Sequence, residues 1–365
     1  MTITVQKMDF LNAIKAVKTV VGKNNLQPIL STIHIKSENG GLTLTATDCT
    51  NTARAVIEAH CTEPFDICVN ASKLDDIVSR LDDNITIDLK ESAAVFKSGK
   101  TVFKSLYMNS EEFPKIEITL NNNEDKIILS KDEFIIGVNK TIFAVASYEN
   151  RNIIANVCFS FKGENGYEMA ATDGNRLSQV VFDTHTNKNG KYVITPQALN
   201  AITKTIKDEV EIYFNDKDKS VILFKTNNFV FVSRLCEGEF PPYEQLIPKT
   251  FKSTATIDRA ELLKALDKVS IMANERTNIT KFVFTKDNLQ LITECPNVGD
   301  AKDDLEIDYT STEELLIAFN YKYVIDCLKS MDAKEITFNL NGNLSAVLIK
   351  GDNGYTHLIM PVQLK

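Results

Sequence analysis

Asn70-Ala71-Ser72-Lys73-Leu74, Thr195-Pro196-Gln197-Ala198-Leu199 and Asn320-Tyr321-Lys322-Tyr323-Val324 open three amphipathic helices with one grammar, 125 residues apart each time. In each, an Asn or Thr able to cap the first turn precedes the apolar-periodic stretch. Pro196 follows its cap directly, where a fixed φ suits a helix start. A second register agrees, because Ala46-Thr47-Asp48 returns as Ala171-Thr172-Asp173, again 125 residues later. Solenoids repeat every ~20–50 residues, whereas ~100–150 is the size of a whole domain. The chain reads as one domain written three times, at 1–122, 123–248 and 249–365, and it suggests a molecule that curves around something.

Each third follows the same order. A first helix comes at Asp9–Val21, Lys131–Ala146 and Asp258–Ala273, with apolar residues three and four apart: Phe10, Ile14, Val17 and Val21; Phe134, Val138, Ile142 and Val145; Leu262, Leu266, Val269 and Met272. Alternating strands follow, such as 32–36 and 42–46 around the turn former Asn39-Gly40-Gly41. The capped second helix comes next, and strands at 85–89, 209–213 and 335–339 lie beyond it. The third copy diverges most: Leu291-Ile292-Thr293-Glu294 only loosely echoes Ala-Thr-Asp. Two helices against many short strands make an α+β domain, with helices on one side of antiparallel sheet.

The 365 residues, 43% apolar and 25% charged, have the composition of a globular protein. No stretch approaches the ~20 apolar residues of a membrane span, and residues 1–7 carry no secretory pattern, so the expected location is cytoplasmic. Seven scattered cysteines, without a Cys-x-x-Cys pair, read as buried reduced thiols rather than a disulfide or zinc framework. The net charge of −8 is spread evenly. The successive thirds hold 13 basic against 15 acidic, 14 against 17 and 14 against 17 residues. A protein that grips nucleic acid by neutralising phosphates normally has a basic domain. Either DNA is not a partner, or the grip is not chiefly electrostatic.

Catalytic motifs are missing. There is no phosphate loop, Gly-x-Gly-x-x-Gly, His-Glu-x-x-His or Gly-x-Ser-x-Gly. The four histidines lie far apart, with His34 inside a strand alternation as a structural residue. Asp75-Asp76 and Asp82-Asp83 read as solvated surface, and Asp303-Asp304 with Glu306 lacks the pattern of a calcium loop. Nothing compels an enzyme, a metal or a cofactor.

Residues Ala170-Ala171-Thr172-Asp173-Gly174-Asn175-Arg176-Leu177-Ser178 closely resemble the most recognisable stretch of the bacterial DNA polymerase III β subunit family, the sliding clamps. Four further segments agree in order: Pro28-Ile29-Leu30; Gly238-Glu239-Phe240-Pro241-Pro242-Tyr243 with Leu246-Ile247-Pro248; Phe319-Asn320-Tyr321-Lys322-Tyr323-Val324; and Met360-Pro361-Val362-Gln363-Leu364. With the triplication, the resemblance spans the whole chain. It implies a head-to-tail homodimer closed into a ring of six similar domains, helices lining the hole and sheets outside. Duplex DNA would thread the hole, independent of sequence. The polymerase III α subunit, the clamp loader and other proteins bearing a clamp-binding motif would dock on one face. A closed ring holds DNA by topology, which accommodates the acidic charge.

The resemblance also implies site residues. The partner-peptide pocket would be walled by Thr172, Gly174, Arg176 and Leu177, by Pro241 and Leu246, by Asn320 and Tyr323, and by Leu358, Met360 and Pro361, with Ile154 and Val347 as apolar neighbours. Arg176 would hold a peptide carbonyl or carboxylate at the rim. Asn175 and Gln245 depart from residues common in the family. DNA-facing basic residues would be Lys15, Lys18, Lys73, Arg80, Lys204, Lys207, Lys264, Lys268, Lys322 and Lys329, with basic charge expected on all six helices, and Lys23 in the loop before Pro28. The ring interface would set Lys97, Lys100, Lys104, Leu106 and Tyr107 of one subunit against Ile271, Met272, Asp300, Asp303, Asp304 and Glu306 of the other. Two competing readings are a hydrolase with Asp173 and Arg176 in a catalytic loop and a three-domain scaffold unrelated to DNA.

Overall fold

Asn70, Thr195 and Asn320 each turn a side-chain oxygen onto the helical turn that follows. Asn70 Oδ1 accepts from the Lys73 N–H at 3.0 Å, Thr195 Oγ1 from that of Ala198 at 3.3 Å, and Asn320 Oδ1 from that of Lys322 at 3.1 Å. A donor left without an intrahelical partner is thereby satisfied in each case. The computed structural model describes residues 2–22, 27–38, 40–115, 126–147, 153–214, 221–296 and 298–364. Six α-helices lie among them: α1 (Lys7–Val17), α2 (Ala71–Arg80), α3 (Lys131–Thr141), α4 (Pro196–Thr205), α5 (Arg259–Val269) and α6 (Tyr321–Ser330).

The first helix of each copy is shorter than its periodicity predicts. α1, α3 and α5 end in 3₁₀ turns at Lys18–Val20, Ile142–Ala144 and Ser270–Met272. A 3₁₀ turn advances about 120° per residue instead of 100°, so the buried stripe shifts. Val20 and Ala144 are fully buried, whereas the expected Val21, Ile142, Val145 and Met272 are only half-buried. α1 also starts two residues before Asp9. Gln6 supplies no cap, and the Lys7 N–H bonds instead to the Asp83 carbonyl at 2.8 Å.

The chain folds as two bodies. The first comprises Met1–Ile135 and Ile194–Cys236. It holds a 13-stranded antiparallel sheet in which Phe229–Arg234 pairs with Asn51–Glu58, joining the strands of the first copy to those of the second. The second comprises Ile136–Val193 and Glu237–Lys365. Its nine-stranded sheet repeats that joint one copy later, with Tyr355–Ile359 on Arg176–Phe182. A four-stranded sheet beside it runs in the order Gly299–Glu306, Asn288–Cys295, Ile279–Thr285, Leu315–Asn320. Each body thus contains one junction between copies, and the middle copy contributes to both.

All seven cysteines are free, but only Cys68, Cys158 and Cys327 are buried. Cys49 is exposed, because it falls at the tip of the turn after Asp48 rather than in a strand. Asn39 lies outside the described residues. His34 Nε2 meets Asp66 Oδ1 at 2.5 Å, and its ring packs 4.8 Å from that of Phe113.

Candidate functional site

The repeated Thr-Asp pair builds one turn twice. Thr172 Oγ1 accepts from the Gly174 N–H at 3.1 Å and donates to the Arg176 carbonyl at 2.6 Å. Asp173 Oδ1 accepts from the N–H groups of Asn175 and Arg176 at 2.9 and 3.1 Å. In the first copy, Thr47 and Asp48 make the same bonds to Cys49, Asn51 and Thr50. These short side chains mimic backbone partners, which is why Thr and Asp are needed there.

The residue three places after each Asp reaches into the next copy. Asn51 Nδ2 donates to Gln197 Oε1 on α4 at 3.3 Å. Arg176 does so more strongly. Its Nε donates to Asp173 Oδ2 at 3.0 Å, Nη1 to Asp326 Oδ2 on α6 at 2.7 Å, and Nη2 to the Phe143 carbonyl at 2.5 Å. The guanidinium also lies 4.4 Å from the Tyr323 ring centre. Arg176 is 9% exposed, so the expected rim donor is an internal post: two carboxylates, a carbonyl and an aromatic face surround a cation that would be costly to bury alone.

Strand register sorts the remaining pocket residues. Directly paired residues of antiparallel strands share a face. Thr172 pairs with Leu177, Leu177 with Leu358, and Leu358 with Leu348, so these four line one face of the nine-stranded sheet. Arg176 pairs with Ile359, and Ile359 with Val347, on the opposite face. That face carries Ser178, whose hydroxyl donates to the Lys140 carbonyl of α3. Val347 therefore does not join Leu358. Leu348 does, since one residue of register moves a side chain to the other side, and sequence alone offered no means to choose between them.

The loop carrying Pro241 and Leu246 is pinned to the Leu358 face. Tyr243 Oη donates to Glu168 Oε1 at 2.7 Å, and Glu168 shares the strand face of Thr172. Glu168 is 1% exposed, and Gln179 and Lys162 each donate to it at 2.8 Å. Leu177, Leu358 and Thr172 are buried as a floor, Ile154, Pro241, Asn320, Tyr323 and Pro361 are half-buried, and Gly174 is exposed. Leu246 and Met360 are 60% and 41% exposed, and Leu344, before the 347–350 strand, is 58% exposed. The Met360 N–H bonds to the Asn175 carbonyl and the Val362 N–H to that of Ala318, both at 2.8 Å, which ties the tail between the Gly174 turn and the strand that ends at Asn320. Leu177, Leu348 and Leu358 give this sheet face an apolar floor, and Leu246 and Met360 leave adaptable apolar side chains exposed.

Behind the site, His357 is wholly buried, 5.7 Å from the Phe143 ring, and neither ring nitrogen has a protein partner among the described residues. Burial, with Arg176 nearby, pushes its pKa down to about 3. Lys140 is buried as well. It bonds to Asp352 and, at 3.2 Å, to the Ser330 carbonyl. Burial works against ionisation of Asp352, but bonds from Lys140 and the N–H groups of Asp332 and Ala333 hold its carboxyl below the usual range.

The basic residues sort by helix. In the first body Lys15, Lys73, Arg80, Lys204 and Lys207 are exposed, while Lys18 pairs with Asp75 at 2.7 Å. In the second, Lys264, Lys322 and Lys329 are exposed, and Lys268 reaches Asp303 at 2.8 Å. α3 breaks the expected pattern, because its Lys140 is internal. Lys23 lies outside the described residues. Of the expected interface residues, Leu106 and Ile271 are 71% and 80% exposed. Lys97 pairs with Asp88 at 2.6 Å, and Lys100, Lys104, Asp300, Asp304 and Glu306 are exposed. Tyr107, Met272 and Asp303 are half-buried.

Comparison with known proteins agrees along the full length. Family models of the DNA polymerase III beta subunit match residues 1–117 (N-terminal domain), 128–242 (central domain) and 244–363 (C-terminal domain). The chain is 28% identical to the beta sliding clamp of Synechococcus elongatus and 26% identical to that of Bacillus subtilis, covering 100% of both chains in each case. The crystal structure of the DNA polymerase III beta subunit from Thermotoga maritima superposes with a TM-score of 0.92 at 25% identity, and that of the beta chain from Streptococcus pneumoniae with 0.90 at 26%, each over 100% of both chains. A domain-scale triplication, a shared junction between copies and full-length similarity place the chain in the DNA polymerase III beta subunit family, the beta sliding clamps.

Proposed function

We propose that this chain is a processivity clamp of three domains, 1–122, 123–248 and 249–365, two copies of which close head to tail around duplex DNA. The ring slides and tethers the replicative polymerase III α subunit, the clamp loader and other motif-bearing proteins through the apolar floor beside Leu246 and Met360. It acts in the cytoplasm and has no chemistry of its own. Asp173, which a hydrolase would use, is occupied by two backbone N–H groups and Arg176.

One observation carries the ring. At both junctions the last strand of one copy pairs with the strand that follows the Thr-Asp turn of the copy before: Phe229–Arg234 on Asn51–Glu58, and Tyr355–Ile359 on Arg176–Phe182. The same rule matches residues 101–106 of one subunit, the part of the Thr101–Asn109 strand not paired with Asp66–Asn70, to Gly299–Glu306 of another. Gly299–Glu306 ends the four-stranded sheet, and its side chains are exposed or half-buried throughout. An unpaired edge of this length invites a strand. A contact between unlike ends makes a closed ring when its rotation closes. The repeated register sets Lys100 against the carboxylates of Asp303, Asp304 and Glu306 and Leu106 near Asp300, a charge match that favours this pairing.

The test is retention. The protein is loaded with its loader and ATP onto a nicked circle, half the sample is linearised, and both halves are washed in high salt. Loss from linear DNA alone supports a topological ring. Equal loss from both forms, with loading confirmed, refutes it.

A further inference from the structure

The two junctions carry equivalent grooves, one basic and one neutral. In the first body, a groove of about 380 Å³ between α1 and the end of α4 is lined by Lys15, Lys204, Thr205 and Lys207. In the second, a groove of about 520 Å³ between α3 and α6 is lined by Lys140, Lys329, Ser330 and Asp332, each 125 residues further on. Lys15, Lys204 and Lys207 are exposed and make no ion pair or side-chain hydrogen bond among the described residues, and Asp9 is the one carboxylate in that lining. The second groove is neutralised. Lys140 is buried against Asp352 with Asp332 3.7 Å away, and Asp326 and Asp332 share the lining with Lys329. Complementing a helix C-terminus explains Lys204 and Lys329 equally, but it does not explain lysine at 207 against aspartate at 332.

We infer that the α1–α4 groove seats a backbone phosphate of the threaded duplex and that its α3–α6 counterpart does not, so the clamp touches DNA unevenly from junction to junction. This rests on the DNA-encircling reading above. Three free ammonium groups around one groove suit a phosphodiester, and the contact is blind to sequence because it reads no base edge. A polyphosphate nucleotide would present the same chemistry, and ATP serves as the competing arm.

Lys204→Asp and Lys329→Asp make the same charge change at equivalent exposed positions. Lys286→Asp, in the hairpin turn between Ile279–Thr285 and Asn288–Cys295 and outside both linings, controls for net charge. Binding of the full chain to a 20-base-pair linear duplex is followed by anisotropy at several salt concentrations. Lys204→Asp should weaken binding about tenfold at low salt and reduce the log–log salt slope by about one. Lys329→Asp should match Lys286→Asp. Equal losses for Lys204→Asp and Lys329→Asp, or no loss beyond the control, would overturn the assignment, as would competition by ATP at concentrations that leave duplex unbound. Retention on closed circles is read separately: its failure in the unsubstituted protein would sink the ring and leave the comparison of grooves standing.

Discussion

Cys49 and Gly174 lie 125 residues apart and hold one backbone conformation, with φ of 69° and 89°. Each gives its N–H to a Thr hydroxyl two residues earlier, at 3.0 and 3.1 Å. The left-handed region is open to glycine and costs other residues ~1–2 kcal/mol. Nothing lies within 4 Å of a Cβ placed on Gly174, so the cost there is conformational rather than steric. Gly174→Ala should lose about 1 kcal/mol in urea unfolding, and Cys49→Gly should gain up to about 1 kcal/mol after the added freedom of the unfolded chain is subtracted. Losses for both substitutions would show that the turns are not equivalent.

Arg176 separates support from contact. Arg176→Met leaves Asp173 and the Phe143 carbonyl without their partner, and Asp326, whose side chain is 40% exposed, partly hydrated. The expected cost is about 3 kcal/mol, the low end for a broken internal pair. Arg176→Lys should recover little, since an ammonium cannot span the three acceptors. Leu246→Ala with Met360→Ala should leave the urea midpoint unchanged while weakening a fluorescent clamp-binding peptide at least tenfold. A stable Arg176→Met protein that cannot bind peptide would instead make Arg176 a contact residue.

The repeat, the helix caps and the Thr-Asp turn were legible because each is written within a few residues and then written again. The roles of Arg176 and Lys140 were not. The sequence reads Arg176 as a rim donor and gives no sign of Lys140, because only the junction between copies brings Asp326 and Asp352 to them. Val347 and Leu348 show the same limit in a strand: both are apolar, and the pairing partner alone decides which one faces Leu177. The tightening of α1 and α3 into 3₁₀ turns escaped for a related reason, since helical periodicity carries no mark of where the pitch changes.

His357 makes stability depend on pH in a defined window. Its folded pKa is lowered to about 3 from 6.5, so below pH 6.5 the unfolded chain takes up a proton that the folded one refuses. The neutral ring's contribution is complete above 6.5 and is lost as pH falls toward 3, by about 1.4 kcal/mol per unit. Phenylalanine retains the stack on Phe143 and cannot titrate. The stability of His357→Phe relative to the unsubstituted protein should therefore improve by about 2 kcal/mol between pH 7.5 and 5.0. A difference independent of pH would mean that the buried ring titrates as it does in the unfolded chain.

Leu106 and Ile271 test the ring without disturbing either body. Their side chains are mostly exposed, so a polar replacement costs the folded subunit little. In the closed ring each would be covered, and losing one buried Leu removes about 2 kcal/mol from the contact. The proposed register makes the sign of charge decisive. Leu106→Asp adds an anion near Asp300 on the acidic strand and should weaken the dimer more than a hundredfold in sedimentation velocity, whereas Leu106→Lys meets that carboxylate and should weaken it far less. If both substitutions dissociate the dimer equally, residues 101–106 do not lie along the acidic strand, and the ring closes through another surface.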